Sequence, residues 1–332
     1  MLTLQDRIHS QKDRTQKLIY TLARPSGDTT IEVSAIDKQD GKVILCLPTQ
    51  TNCAQACKFC HTTGLAGKVA VTNLTRFEIE SIAREAFVDA GFAETEGDLL
   101  VSFMGVGEPM ANTAELIHAM IRLRGWGALI NLNVRFGLAT MMPFKHVADF
   151  QNFINTIAGL RLPVKVHLSL HYTNNAKRLE WMPTATSIAQ ALYMLSDYRR
   201  LTGNPVEIHY TLIDGVNDTV RDGWTLRSLL VESKIPVKFL KYNPAPGDPH
   251  LSPDEEWTKY FRSMLEELGI PTEWYDSPGA DIASACGMFA TDIYIPAKKP
   301  ETREIPEGTP MYQAGTDRLI GIALKTPSGT EW

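Results

Sequence analysis

The sequence predicts an α/β protein built as a partial (β/α)6 barrel, on three observations. Six apolar stretches read as strands, at 42–47 (KVILCL), 99–104 (LLVSFM), 131–139 (NLNVRFGLA), 164–170 (VKVHLSL), 206–213 (VEIHYTLI) and 237–242 (VKFLKY). Helical stretches separate them, and strands that alternate with helices pair in parallel beneath a helical layer. A chain of 332 residues, 44% hydrophobic and 21% charged, is long enough to bury the core that such a sheet requires. Ligands gather at the carboxyl ends of parallel strands, so the functional loops are expected there.

In chain order, residues 1–40 read as a helix and a hairpin in front of the barrel, with Pro25-Ser26-Gly27-Asp28 as the turn. The barrel itself is expected over 41–295. Thr75 and Glu78 form a capping-box pattern opening a helix whose Ile82, Ala83, Ala86 and Phe87 share one face before Gly91 ends it. Asn112 precedes a helical stretch reaching about Arg124. Ser252-Pro253-Asp254-Glu255 reads as a further helix start, with a hydroxyl cap, proline at the first position and acids in the first turn. The tail, 296–332, is rich in proline, glycine and charge and reads as an irregular extension.

Composition narrows the functional classes. The first residues carry no apolar targeting core and no run of about 18 apolar residues occurs, which predicts a cytoplasmic protein that does not enter a membrane. A net charge of -5 gives no global field to attract a phosphate backbone, although a local basic groove stays open. Three of the five cysteines fall within eight residues, which favours metal or redox chemistry over a disulfide framework.

Those three are Cys53, Cys57 and Cys60, in Cys53-Ala-Gln-Ala-Cys57-Lys-Phe-Cys60 directly after the first strand. Soft thiolates on one loop suit zinc or an iron-sulfur cluster. Zinc would need a fourth ligand, for which His61 is the nearest candidate. Three ligands with one iron left open is the arrangement of a 4Fe-4S cluster that binds and reduces S-adenosyl-L-methionine (SAM). Gly105-Val-Gly107-Glu108-Pro109 follows the second strand, where a glycine-rich turn lets backbone approach a ligand and Glu108 offers an acceptor to an ammonium group.

The CxxxCxxC spacing, Phe59 before the third cysteine and the Gly-Glu-Pro loop resemble the radical SAM superfamily, and further matches resemble its RlmN/Cfr family of RNA adenine methyltransferases. These run in order: Gln50, Ser169-Leu170-His171, Leu212 to Asp218 (LIDGVND), Tyr242 to Gly247 (YNPAPG) and Asp281 to Gly287 (DIASACG). The resemblance covers residues 30–292 and implies a radical SAM barrel with a short N-terminal extension. By it, Cys53, Cys57 and Cys60 hold the cluster, and Phe59, Gly107, Glu108, Ser169, Leu170, His171 and Asn243 line the SAM site. It also implies that Cys286 carries a methyl group, that Cys46, seven positions before Cys53, resolves the later adduct, and that Glu32 is the general base. The family's helical RNA-binding domain has no counterpart of full length ahead of Cys46, and the arginine expected before Asp281 is absent.

What the resemblance implies chemically is a radical derived from one SAM that abstracts hydrogen from the methyl on Cys286. The resulting methylene radical adds to an adenine carbon, an electron leaves, and Glu32 removes the ring proton. Thiolate Cys46 then attacks the sulfur of Cys286, releasing product and leaving a disulfide to be reduced. An electron donor protein such as a flavodoxin or ferredoxin and a monomeric enzyme go with this expectation. Three functions stay open on the sequence: an RNA adenine methyltransferase acting on ribosomal or transfer RNA, a radical SAM enzyme methylating a small molecule or free nucleotide, and a non-catalytic iron-sulfur redox protein.

Overall fold

The computed structural model describes residues 1–289 except 39, 66–68 and 246, together with four short strands between 310 and 331. The chain opens not on a helix but on three antiparallel strands, β1 (Leu2–His9), β2 (Thr15–Leu22) and β3 (Thr29–Asp37). The helix expected in residues 1–40 fails because the segment has no apolar stripe at a 3.6-residue period. Leu2 and Leu4 instead alternate with exposed neighbours and pack on the core, while the charged remainder of β1 lies along the sheet edge. The turn expected near Pro25 does connect β2 to β3.

Antiparallel β4 (Lys42–Cys46) joins β3 to the barrel. From there α1 (Arg76–Asp89), β5 (Gly97–Phe103), α2 (Thr113–Leu129), β6 (Leu132–Thr140), α3 (Val147–Leu160) and β7 (Val164–Ser169) follow in strict alternation. Two helices, α4 (Asn175–Trp181) and α5 (Ile188–Thr202), precede β8 (Val206–Leu212). Next come α6 (Val220–Leu230), β9 (Val237–Lys241), α7 (Glu255–Glu266) and β10 (Thr272–Tyr275). All six expected strands are present, and β10, too short and mixed to stand out in the sequence, adds a seventh parallel one. The ten strands form one sheet in sequential order with β1 and β10 at its edges, so the barrel is partial.

Local chemistry sets the helix ends. Thr75 and Glu78 make the reciprocal capping box at the start of α1, and Gly91 follows its end at a φ of 79°. The start of α7 differs from expectation: Asp254 is the cap, accepting from the Trp257 N–H, because Ser252 is engaged in accepting from the Tyr242 N–H at 2.7 Å. Asn112 stands at the start of α2 without capping it. Its amide donates to the carbonyls of Thr49 and Leu74, both at 2.8 Å, and so ties the loops after β4 and β5 together.

Alternation along each strand separates two environments. Val43, Leu45 and Leu47 join Ile79, Ile82, Ala83, Ala86 and Phe87 of α1 in the layer between sheet and helices, leaving Ile44 and Cys46 on the lumen face. Deeper in the lumen, register brings His167 beside Glu207 and His209 beside Lys238. Glu207 receives Lys165 at 2.9 Å, faces the His167 Nδ1 at 2.9 Å and the His209 Nε2 at 3.6 Å, and has Lys238 at 3.6 Å. Two lysines already neutralise this carboxylate, so the His-Glu-His grouping is a charge-compensated floor rather than a cation site.

The chain divides into two compact units, Met1–Thr291 and Asp292–Trp332. In the second, β11 (Pro310–Tyr312) pairs with β12 (Leu319–Ile322) and β13 (Leu324–Thr326) with β14 (Gly329–Glu331), two short hairpins where an irregular tail was expected. The rest of 296–332 lies outside the described residues. No helix among the described residues is long and apolar enough to cross a membrane.

Burial holds the lumen imidazoles neutral. His167 is pushed down to about 3, and His209 and the deeply buried His171 are lowered too, chiefly by desolvation. In the unfolded chain each titrates near 6.5, so below that pH the unfolded state binds protons that the folded state refuses. Stability is therefore expected to be full above pH 6.5 and to fall on acidification, each histidine contributing about 1.4 kcal/mol per pH unit. Urea midpoints at pH 7.5 and 5.5 check this, and a midpoint that does not move contradicts it.

Candidate active site at the barrel mouth

The loop after β4 begins with side chains that fasten it before any cysteine is reached. Thr51 Oγ1 donates to the Ala70 carbonyl at 2.7 Å, Asn52 bonds both the Val69 carbonyl and the Cys53 N–H, and Gln50 accepts from the Glu108 N–H at 2.9 Å. The turn that follows is tight, with Ala56 at a φ of 54° and the Cys60 N–H on the Cys57 carbonyl. Cys53, Cys57 and Cys60 thereby line one cavity.

The three cysteines are half-buried and their thiols pushed up, Cys53 to about 12, with desolvation as the main cause and the neighbouring sulfurs adding to it at Cys53 and Cys57. Such thiols keep their protons until a cation replaces them. Their spacing discriminates between cations. Tetrahedral zinc at about 2.3 Å from each sulfur needs sulfurs about 3.8 Å apart. Among the described residues the only three ligand atoms within 4.8 Å of one another belong to His167, Glu207 and His209, so the three sulfurs are spread too widely for one ion. His61 does not complete a zinc set either: among the described residues no ring nitrogen of His61 falls within such a group, and its Nε2 lies 3.4 Å from the Asn243 carbonyl. The donor set fits a multi-iron cluster.

Around this loop the ends of the other strands converge. Gly107, at a φ of 107°, packs where a Cβ would lie 2.8 Å from Gln50, and its N–H points at the Cys53 sulfur. Glu108 is buried, and its carboxylate accepts from Met110 N–H, Thr140 Oγ1 and Met141 N–H at 3.0, 2.6 and 3.2 Å. Burial nonetheless raises it above the ordinary carboxylate range. His171 sits at a φ of 54° with Nδ1 accepting from the Thr211 N–H at 3.0 Å, which leaves the ring proton on Nε2. Phe59 packs edge-on against this imidazole at 4.9 Å.

Phe59, Gly107, Glu108, Ser169, His171, Asn243 and Cys286 line the same cavity as the three cysteines. Leu170 does not: its side chain is fully buried in the hydrophobic layer, and only its backbone belongs to the mouth. Asn243 donates to the Cys286 carbonyl at 3.1 Å. Cys46 lies near Cys286 although 240 positions separate them in the chain. Burial pushes the Cys46 thiol up to about 12, Cys286 adds to the rise, and the Ser102 hydroxyl and Met104 N–H oppose it. Glu32 is buried on β3, paired with Lys17 at 2.8 Å, two residues from Ser34, which stands opposite Cys46.

Arg178 is the residue that the sequence conceals. Fully buried in α4, it donates to the carbonyls of Ser169, Leu170, Met141 and Thr186 and so knits the ends of β6 and β7 to the helix. Nothing in Lys177-Arg178-Leu179-Glu180 marks that arginine out from its charged neighbours.

Thiols on the loop after the first parallel strand of an open barrel, facing a glycine turn and a buried carboxylate, make up a site of the radical SAM methyltransferase class. A solved radical SAM methyltransferase from Sphaerobacter thermophilus has the same fold, with a TM-score of 0.74 and 28% identity over 86% of this chain and 80% of that one. No protein-family model matches the chain. Curated relatives named "Probable dual-specificity RNA methyltransferase RlmN" do: that of Frankia casuarinae is 32% identical over 89% of this chain and 69% of its own length. That of Thermotoga sp. (strain RQ2) is 32% identical over 87% of this chain and 79% of its own length. The chain belongs to the RlmN family of radical SAM methyltransferases.

Gly107→Ala is expected to keep the fold but lose SAM binding. A Cβ there meets Thr49 Oγ1 at 2.7 Å on a left-handed backbone, so the cost exceeds about 1 kcal/mol and Glu108 moves with the turn. Thermal melting and SAM titration measure both effects, and wild-type values in each contradict the assignment.

Proposed function

We propose that this enzyme methylates an adenine carbon in RNA, using two molecules of SAM, a 4Fe-4S cluster on Cys53, Cys57 and Cys60, and a methylated Cys286 resolved by Cys46. The observation that carries this reading is that Cys286 lines the cavity of the three other cysteines while Cys46, on the adjoining strand, is near enough for the two thiols to influence each other. An iron-sulfur redox protein has no use for that pair. The names of the relatives, RNA methyltransferases of dual specificity, supply the substrate class.

When bound, the cluster and SAM supply the one-electron chemistry that opens an unreactive carbon, with the electron coming from a donor protein such as a flavodoxin or ferredoxin. The protein does the rest. Glu108 offers a carboxylate to the SAM ammonium, while Gly107, Ser169, Leu170 and Asn243 provide backbone and amide contacts. Phe59 fixes the ring of His171, whose Nε2–H donates into the cavity.

Cys286 presents the methyl-bearing sulfur, and once the carbon-carbon bond has formed and the adduct has given up one electron, Glu32 takes the ring proton. Cys46 must lose its proton before it can act, since burial holds its thiol up at about 12. As a thiolate it attacks the Cys286 sulfur, the sulfur-carbon bond breaks, and the carbon takes up a proton to become the product methyl. A Cys46-Cys286 disulfide remains, to be reduced by two electrons before the next turnover.

Nucleosides from cells with and without the gene, compared by mass spectrometry, test the substrate. Loss of one methyladenosine from RNA is expected on deletion, and turnover of a free nucleotide at the rate of any RNA moves the reading to a small molecule. In vitro, Cys53→Ala is expected to lose its iron. Cys46→Ala is expected to cleave SAM and methylate Cys286 yet accumulate a covalent RNA adduct. A Cys46→Ala enzyme that turns over normally refutes the two-cysteine mechanism.

A further inference from the structure

The segment that carries Cys286 is held from two directions. On the cluster side it receives the Asn243 amide on the Cys286 carbonyl and the His61 N–H on the Gly287 carbonyl. On the other side it meets β2, β3 and the turn between β1 and β2. Ser10 Oγ and the Gln11 N–H donate to the Asp281 carboxylate at 2.8 and 2.9 Å, and the Gly279 N–H donates to Asp13 at 2.9 Å.

Two further contacts come from side chains that are themselves buried. Ser34 Oγ donates to the Ser284 carbonyl at 2.8 Å, and Ser34 is the residue opposite Cys46 across β3 and β4. Lys17, with no solvent exposure, places its ammonium 2.8 Å from Glu32 and donates to the Ala283 carbonyl at 3.1 Å. A buried ammonium is tolerated only where acceptors are fixed around it, and Ala283 is fixed in turn by a left-handed φ of 50°. Lys17 thus touches both the carboxylate assigned to the ring proton and the backbone three residues before the methyl-bearing sulfur.

We propose that Lys17 and Ser34 are positioning residues for Cys286, forming a latch by which the N-terminal strands hold the methyl-carrier segment against Cys46. This rests on the reading of Cys286 as the methyl carrier. The latch does not touch the SAM side of the cavity, so its removal leaves cluster loading intact and loosens only the carrier. Neither a filler of core space nor a general stabiliser would act so locally.

The test uses full-length, anaerobically reconstituted Lys17→Met and Ser34→Ala beside the wild type. Three quantities are read: iron per chain, amide hydrogen exchange of residues 279–287, and the fraction of Cys286 that gains one methyl on incubation with SAM. Both variants are expected to load iron as the wild type does. Exchange over 279–287 should rise about tenfold or more in Lys17→Met, the loss of one charge-assisted bond, and several-fold in Ser34→Ala, while α5 exchanges unchanged. Cys286 methylation should fall about tenfold in Lys17→Met, in step with the loosened segment.

If Lys17→Met cannot load its cluster because the buried Glu32 loses its cation, Ser34→Ala, which strands no buried charge, decides on the same readouts. Wild-type exchange over 279–287 in the variants, or a loosened segment that methylates at the wild-type rate, overturns the latch. A wild-type enzyme that never methylates Cys286, while both variants loosen, overturns the methyl-carrier reading and leaves the latch standing.

Discussion

Arg178 gives the mouth of this barrel its geometry. A guanidinium with no water around it must place its donors on fixed acceptors, and here the acceptors are the carbonyls at the ends of β6 and β7 and in the loop after α4. Those carbonyls belong to the residues that flank the cavity, Met141 beside Glu108 and Ser169-Leu170 beside His171. Burial pulls the arginine down only to about 10, so it stays charged at neutral pH, and Cys57 lies near enough to favour that charge. The same rule governs the other buried ionic groups. Glu108 takes three donors, Glu207 two lysines, and Lys17 one carboxylate and one carbonyl.

The two cysteines outside the cluster motif are brought together by different means. Cys46 is placed by strand register: it pairs with Ser34 on one side and Ser102 on the other, and the two-residue period alone directs its sulfur into the lumen. Cys286 lies on no strand. Its place depends on individual hydrogen bonds from Asn243, from Ser34 and Lys17 near it, and from His61 on the next residue. In the mechanism proposed above, a sulfur that reaches SAM, a substrate base and Cys46 in turn is well served by an irregular segment with discrete attachments, whereas a resolving sulfur need only wait in one place.

The barrel was legible in the sequence because alternate residues of its strands are apolar and face the helical layer, as in KVILCL and VKVHLSL, and helical stretches separate them. The N-terminal strands were not: β1 is an edge strand, half exposed and charged, and its LQDRIH sequence carries no more strand than helix signal. β10, four residues of half-buried Thr-Glu-Trp-Tyr, is recognisable only by its neighbour β9. Within the site, the cysteines and the glycine turn were legible because their spacing is local. Arg178 and Lys17 were not, since each acts on backbone atoms from other elements, Lys17 on a carbonyl 266 positions away, and carbonyls leave no mark in a sequence. Leu170 shows the converse, a match whose side chain faces away from the cavity.

That separation of 266 positions also bears on the order in which the molecule is made. Residues synthesised first, from Ser10 to Ser34, bond a segment near residue 283 that leaves the ribosome only after every barrel strand has emerged. Until then the Lys17 ammonium lacks its carbonyl and the cavity lacks one wall. Contacts this distant are the last that a chain closes, because the loop entropy they demand is least costly once the intervening elements are packed. The growing protein therefore passes through a stage in which the sheet is formed, Cys53, Cys57 and Cys60 are in place and the segment of Cys286 has yet to dock. At that stage the cavity that those cysteines line still lacks the wall that Cys286 and Gly287 supply, so its interior is reached most easily before the last-made segment docks.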